Sequence, residues 1–168
     1  MVTLALALVL AQVPSPVRVT VIDVSEQDAI YEDVSRALAE ALAKFLGESG
    51  FEASRVDESE FPEFPCPPGP CLAKVARMQK AHVLVTLDAK EVDKTTTAVG
   101  LTALLSTNGM PLAGARYTLK AGQKKAPKEL TAFPAKLLAQ VAKAYRPVAP
   151  PDGGTKARGD AGTQDAGR

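Results

Sequence analysis

The two cysteines of the chain, Cys66 and Cys71, stand in the segment Phe64-Pro65-Cys66-Pro67-Pro68-Gly69-Pro70-Cys71. Three chemistries use such a pair: a zinc site, thiol-disulfide exchange and a structural disulfide. Structural zinc takes four protein ligands, and His82 is the sole histidine, so the ligand count speaks against metal. A thioredoxin-like centre needs C-x-x-C with its first cysteine at a helix N-terminus, where the dipole depresses its pKa. Here four residues intervene and the second cysteine opens the helix, so that argument survives only for Cys71. A Cys66–Cys71 disulfide is the expected state. In the chain-entropy relation so short a loop is worth at most about 2 kcal/mol, and the flanking prolines reduce that further. Thiol redox chemistry, with Cys71 attacking and Cys66 resolving, stays as an alternative.

Other reactive types are sparse. Asp23 and Asp88 each close an expected strand, so the two carboxylates could meet at one end of a sheet. That would suit acid/base work or a small-molecule pocket over the sheet edge. Polar strand ends are also ordinary solvent-facing termini. No G-x-S-x-G elbow accompanies His82, and no Gly-rich phosphate loop is present, which removes the usual signals for a hydrolytic triad or a nucleotide site. Two loops carry opposite charge: Asp57, Glu58, Glu60 and Glu63 on one, Lys120, Lys124, Lys125 and Lys128 on the other. Opposite charge tunes encounter and specificity, and these eight residues are the candidate partner-facing positions. No catalytic residue, cofactor or metal site is expected.

Composition narrows the classes. In 168 residues the formal net charge is +1, tryptophan is absent and aromatics make up 5%. No basic stripe is interleaved with aromatics, so nucleic acid is disfavoured as a partner. Residues 1–11 form an uncharged apolar run ending before Gln12. As a helix the run covers about 18 Å, short of a bilayer core of about 30 Å. It matches the apolar region of a signal peptide with Val9 and Ala11 as the small residues before the cut, although it lacks the usual basic start. Export to the periplasm or beyond, with no transmembrane segment in the mature chain, is the expectation.

These residues must be positioned by the elements between them. Val17 to Val24 is β-branched and begins with alternation, as a strand does. Ser25 and Asp28 resemble a capping box, and Ile30, Val34, Leu38, Leu42, Phe45 and Leu46 make a helical stripe ending at Gly47 or Gly50. Phe51 to Val56 is a second strand. Pro70 suits the first position of a helix from Cys71 to Gln79 that buries Leu72, Val75, Ala76 and Met78. Val83 to Leu87 is a short strand covered on both faces. Thr95 to Ser106 and Leu112 to Lys120 pair through a type I′ turn at Asn108-Gly109, and Gly114 marks a bulge or a close backbone approach. A last helix carries Leu130, Leu137, Leu138, Val141 and Tyr145, its continuous part starting at Pro134. From Pro147 to Arg168 the composition is that of a disordered tail. The order β-α-β-α-β-β-β-α predicts an α/β (α+β) fold, one mixed sheet packed by about three helices, in a single domain over 16–146.

The run Val19 to Val24, the helix with Leu38 and Leu42, Gly50-Phe51, and Cys71-Leu72-Ala73-Lys74-Val75-Ala76 leading through Ala81 to Val83-Leu84-Val85-Thr86 resemble a bacterial envelope domain. It is the α/β domain of the amino-terminal part of TolB and of the CsgG and FlgO type outer-membrane-associated proteins. Lys80-Ala81-His82 stands where that pattern often has Gly-Ala-Asp, and Thr86 where a glycine is common. The resemblance implies an accessory or docking domain without a catalytic set. The chain is therefore expected to be an exported, non-catalytic envelope accessory or assembly/binding module with an envelope protein partner. The alternatives are a thiol redox protein and a small-molecule-binding receptor domain.

Overall fold

A computed structural model describes residues 16–25, 32–57, 60 and 70–145. The signal-like segment, the capping-box residues, Cys66, Glu58, Glu63 and the tail lie outside them. Five strands and three helices follow in the order β1 (Arg18–Asp23), α1 (Glu32–Glu48), β2 (Glu52–Val56), α2 (Pro70–Met78), β3 (Val83–Asp93), β4 (Thr96–Leu105), β5 (Pro111–Lys120) and α3 (Lys128–Ala144). The expected order and the mixed sheet are both found.

The sheet runs β2-β1-β3-β4-β5. Strand β1 pairs in parallel with β2 and with β3, and β3, β4 and β5 form an antiparallel meander. Right-handed crossovers dictate where the helices go. The step from β1 to β2 moves one way across the sheet and the step from β2 to β3 moves back past β1, so α1 and α2 fall on opposite faces. On the inner face α1 and α3 bury Val19, Val21, Val85, Leu87, Leu101 and Ala103 under Leu42, Leu46, Phe133 and Leu137. On the outer face α2 covers Ile22, Leu84 and Leu104 with Leu72, Val75 and Ala76. Helix α2 packs on β3 but does not reach β5, so the outer face of the β3–β5 meander is left open, with Asp88, Lys90, Thr102, Arg116 and Thr118 exposed.

Several local readings are corrected. The buried stripe of α1 is Ser35, Ala39, Leu42, Ala43 and Leu46, whereas Val34 is 43% exposed. Small side chains at 35, 39 and 43 let the helix approach the sheet closely, and that outweighs the larger but offset Val34. Met78 is 60% exposed because α2 ends there. Helix α3 begins at Lys128 and carries Pro134 inside it. The helix tolerates the proline because its ring is buried in the core, and Leu138 faces outward at 48% exposure. Strand β3 continues to Asp93, since after Leu87 the outer face has lost its helix and accepts Asp88 and Lys90 while Ala89 stays buried.

The β4–β5 connection is longer than a two-residue I′ turn. It spans 106–110, and Gly109 alone of Asn108-Gly109 has positive φ, at 74°. Gly109 N–H donates to the Leu105 carbonyl at 2.8 Å, Leu105 N–H donates to the Met110 carbonyl at 2.8 Å, and Asn108 Oδ1 accepts from Met110 N–H at 2.9 Å. Gly114 lies opposite Thr102 in regular register, where a Cβ would approach the Leu101 carbonyl at 3.3 Å. It is a close approach, and the register shift comes at Ala103/Leu104 instead.

Candidate functional site

Cys71 follows Pro70 in the first turn of α2 and is disulfide-bonded. The partner expected for it, Cys66, lies outside the described residues. His82 lies just before β3, between chain segments: its Nδ1 accepts from Arg18 N–H at 2.9 Å, its own N–H donates to the Arg18 carbonyl at 2.9 Å, and its carbonyl accepts from Ser106 N–H at 3.1 Å. Its ring meets Tyr145 edge to face with centroids 6.2 Å apart. Every one of these contacts ties structure together, and none presents a base to a reacting group.

Asp23 and Asp88 are not brought together as a pair. Asp23 lies opposite Leu87 in the parallel β1–β3 register, and successive side chains on a strand alternate faces, so Asp88 projects from the other face. Asp23 accepts from Ser25 N–H at 3.0 Å and from its hydroxyl, and Ser25 Oγ accepts from Ala89 N–H at 2.8 Å, which stitches the end of β1 to β3. Asp88 does line a cleft of about 590 Å³, with Lys90, Gly100, Arg116, Thr118 and Glu129. Its walls carry both signs of charge. Among the described residues no group of three or more His, Cys, Asp or Glu could hold a metal ion.

The charged loops are placed by topology. Strands β2 and β5 both run parallel to β1, so the acidic loop after β2 and the basic loop after β5 leave the same end of the sheet at opposite edges. Four strand spacings separate those edges, roughly 19 Å. Asp57 is held by Arg55 at 2.9 Å, a pair that Glu40 joins at 3.5 Å, and Glu60 is exposed. Lys120, Lys124, Lys125 and Lys128 are all exposed.

Structure adds two cations to the basic side. Arg116 is exposed on the outer face of β5, and Lys136 of α3 donates to the Gly114 carbonyl at 3.1 Å. The polar positions alternating with Ala115, Tyr117 and Leu119 carried the signal for Arg116. Nothing in the sequence ties Lys136 to Gly114. Tyr117, facing the core beside this edge, has its phenol pushed up to about 12 by burial. The arrangement is therefore an open strand edge flanked by cations, suited to docking a chain of opposite charge.

No protein-family model and no curated protein matches the chain. Solved structures do. The PelC dodecamer from Paraburkholderia phytofirmans is similar at 16% identity and TM-score 0.50, over 77% of this chain and 91% of that one. Lipoprotein GNA1162 from Neisseria meningitidis matches at 15% identity and TM-score 0.47, over 77% and 96%. TolB from Acinetobacter baumannii matches at 13% identity and TM-score 0.39, over 67% of this chain and 26% of that one. At such identities the PelC likeness establishes a shared fold and nothing finer, and the two weaker matches carry no argument. TolB is one of the proteins the sequence resembled; the CsgG and FlgO types have no counterpart among these three.

Proposed function

We propose that the chain is an exported, non-catalytic accessory module of the bacterial envelope that docks a protein partner along the β5 edge and its basic loop. One observation carries the reading: Arg116, Lys120, Lys124, Lys125 and Lys128 line one open strand edge, and among the described residues none of them is in an ion pair. Uncompensated charge of one sign beside unpaired backbone groups favours an acidic chain that adds as a strand. The Cys66–Cys71 staple and the apolar start of the chain support an oxidising, extracytoplasmic compartment. No helix among the described residues is long and apolar enough to cross a membrane.

The test has two parts. Intact mass of protein from an envelope-bearing host, before and after reduction and alkylation, is expected to show loss of residues 1–11 and a two-hydrogen deficit. A photocrosslinker at Thr118 is expected to capture a protein partner, and R116S/K120S/K124S to abolish that capture. An intact N-terminus with two free thiols, or no crosslink, overturns the reading.

A further inference from the structure

The charged edges fit each other. We propose that copies of this chain associate head to tail, β5 of one copy beside β2 of the next; the inference rests on the docking role of β5 and names its partner as a second copy.

Both edges are open where they would meet. Glu52 N–H bonds to the Val17 carbonyl, toward β1; by the period of two the backbone groups of Ala53 and Arg55 point away from the sheet. On β5 the Gly114 carbonyl takes Lys136 from outside, so Arg116 and Thr118 point outward as well. Among the described residues these four outward backbone groups have no hydrogen-bond partner. The contact is bounded at both ends on β5, by Lys136 on Gly114 and by Gln123 Oε1 on Lys120 N–H at 3.2 Å. A parallel ladder can therefore set Arg116 between Ala53 and Arg55 of the second copy.

Direction and charge agree. Because β2 and β5 run the same way, rotating one copy about an axis along the strands brings its β2 beside the other's β5 in parallel. This places exposed Lys120, Lys124 and Lys125 of one copy against Asp57 and Glu60 of the next, at the same end of the joined sheet. Pairing two β5 edges would instead oppose like charges, which destabilises, and so would pairing two β2 edges that carry Glu52, Asp57 and Glu60. Self-association is thus directed to unlike edges, and such heterologous contacts build rings or open filaments.

Sedimentation and light scattering of the full mature chain test this with two variants, R116S/K120S/K124S and E52S/E60S, each checked for native circular dichroism. The wild type is expected to form oligomers larger than a dimer, weakened at least about tenfold by high salt. Each variant alone is expected to be monomeric. Mixed, they are expected to give a one-to-one heterodimer and nothing larger, since only one intact acidic edge meets one intact basic edge. A wild-type monomer, or variants that do not combine, overturns the head-to-tail contact. If the wild type is monomeric but Thr118 still crosslinks to a different protein, the docking role survives and only the second copy is lost; with no crosslink both fail.

Discussion

His82 and Arg18 hold each other by two backbone-directed bonds: Arg18 N–H donates to His82 Nδ1 at 2.9 Å, and His82 N–H donates to the Arg18 carbonyl at 2.9 Å. An Nδ1 that accepts cannot carry a proton, so the native ring is neutral. Burial and the Arg18 charge lower its pKa below the ordinary 6.5, while Glu52 opposes them weakly; Tyr145 is the other titratable group against the ring.

The sign of the pH dependence follows. In the unfolded chain His82 takes up a proton near its ordinary pKa, and in the native state only at lower pH. The unfolded state then binds more protons, so stability is full above about pH 6.5 and falls as pH drops through the window below it. Urea midpoints measured from pH ~7.5 to ~5 are expected to decline for the wild type. H82N, whose Oδ1 replaces Nδ1 as acceptor without titrating, is expected to flatten part of that decline. Equal slopes for the two proteins would contradict the assignment.

Two positive-φ residues predict substitutions of opposite sign. Lys80 ends α2 with φ 54°, where Ala81 N–H closes back on the Ala76 carbonyl at 2.9 Å and Lys80 N–H on Arg77 at 2.9 Å. This is a helix stop that normally uses glycine, so K80G is expected to stabilise by up to about 1 kcal/mol. Gly109 has φ 74° in the β4–β5 turn, and G109A is expected to destabilise by about 1 kcal/mol. Thermal or urea unfolding of the two variants reads both signs.

The order of elements was legible because period-two and period-3.6 patterns survive in β1, β4, β5 and α2. Rotation of a helix about its axis was not. In α1 a stripe through Val34, Leu38 and Leu42 and one through Ser35, Ala39 and Leu42 differ by a single residue step, and close packing of small side chains decides between them. The cations of the β5 loop were legible as composition. That they face an open edge, across the sheet from the acidic loop, depends on the order β2-β1-β3-β4-β5, which no local pattern encodes.

The same distinction predicts a contrast in α3. Leu137 is fully buried with Phe133 and Val141, whereas its neighbour Leu138 is nearly half exposed. L137A is expected to cost about 2–5 kcal/mol through lost burial and the cavity left behind. L138A is expected to stay within about 0.5 kcal/mol of wild type. Denaturant unfolding of both variants at one pH separates them, and similar costs would mean that α3 is rotated from the orientation described.

Cys71 opens α2 while disulfide-bonded, and this sets a structural staple against a redox centre. As a staple to Cys66, the bond closes a short loop already stiffened by proline, so reduction or C66S/C71S is expected to cost at most about 2 kcal/mol and leave the fold intact. As a redox centre, the reduced Cys71 thiol would gain from the helix N-terminus a depressed pKa and rapid alkylation at neutral pH. Alkylation rates of the reduced protein against pH are expected to give an ordinary thiol pKa, near 8.5. A value well below that, together with a bridge reduced readily by mild thiols, would replace the staple with thiol exchange as the chemistry of this segment.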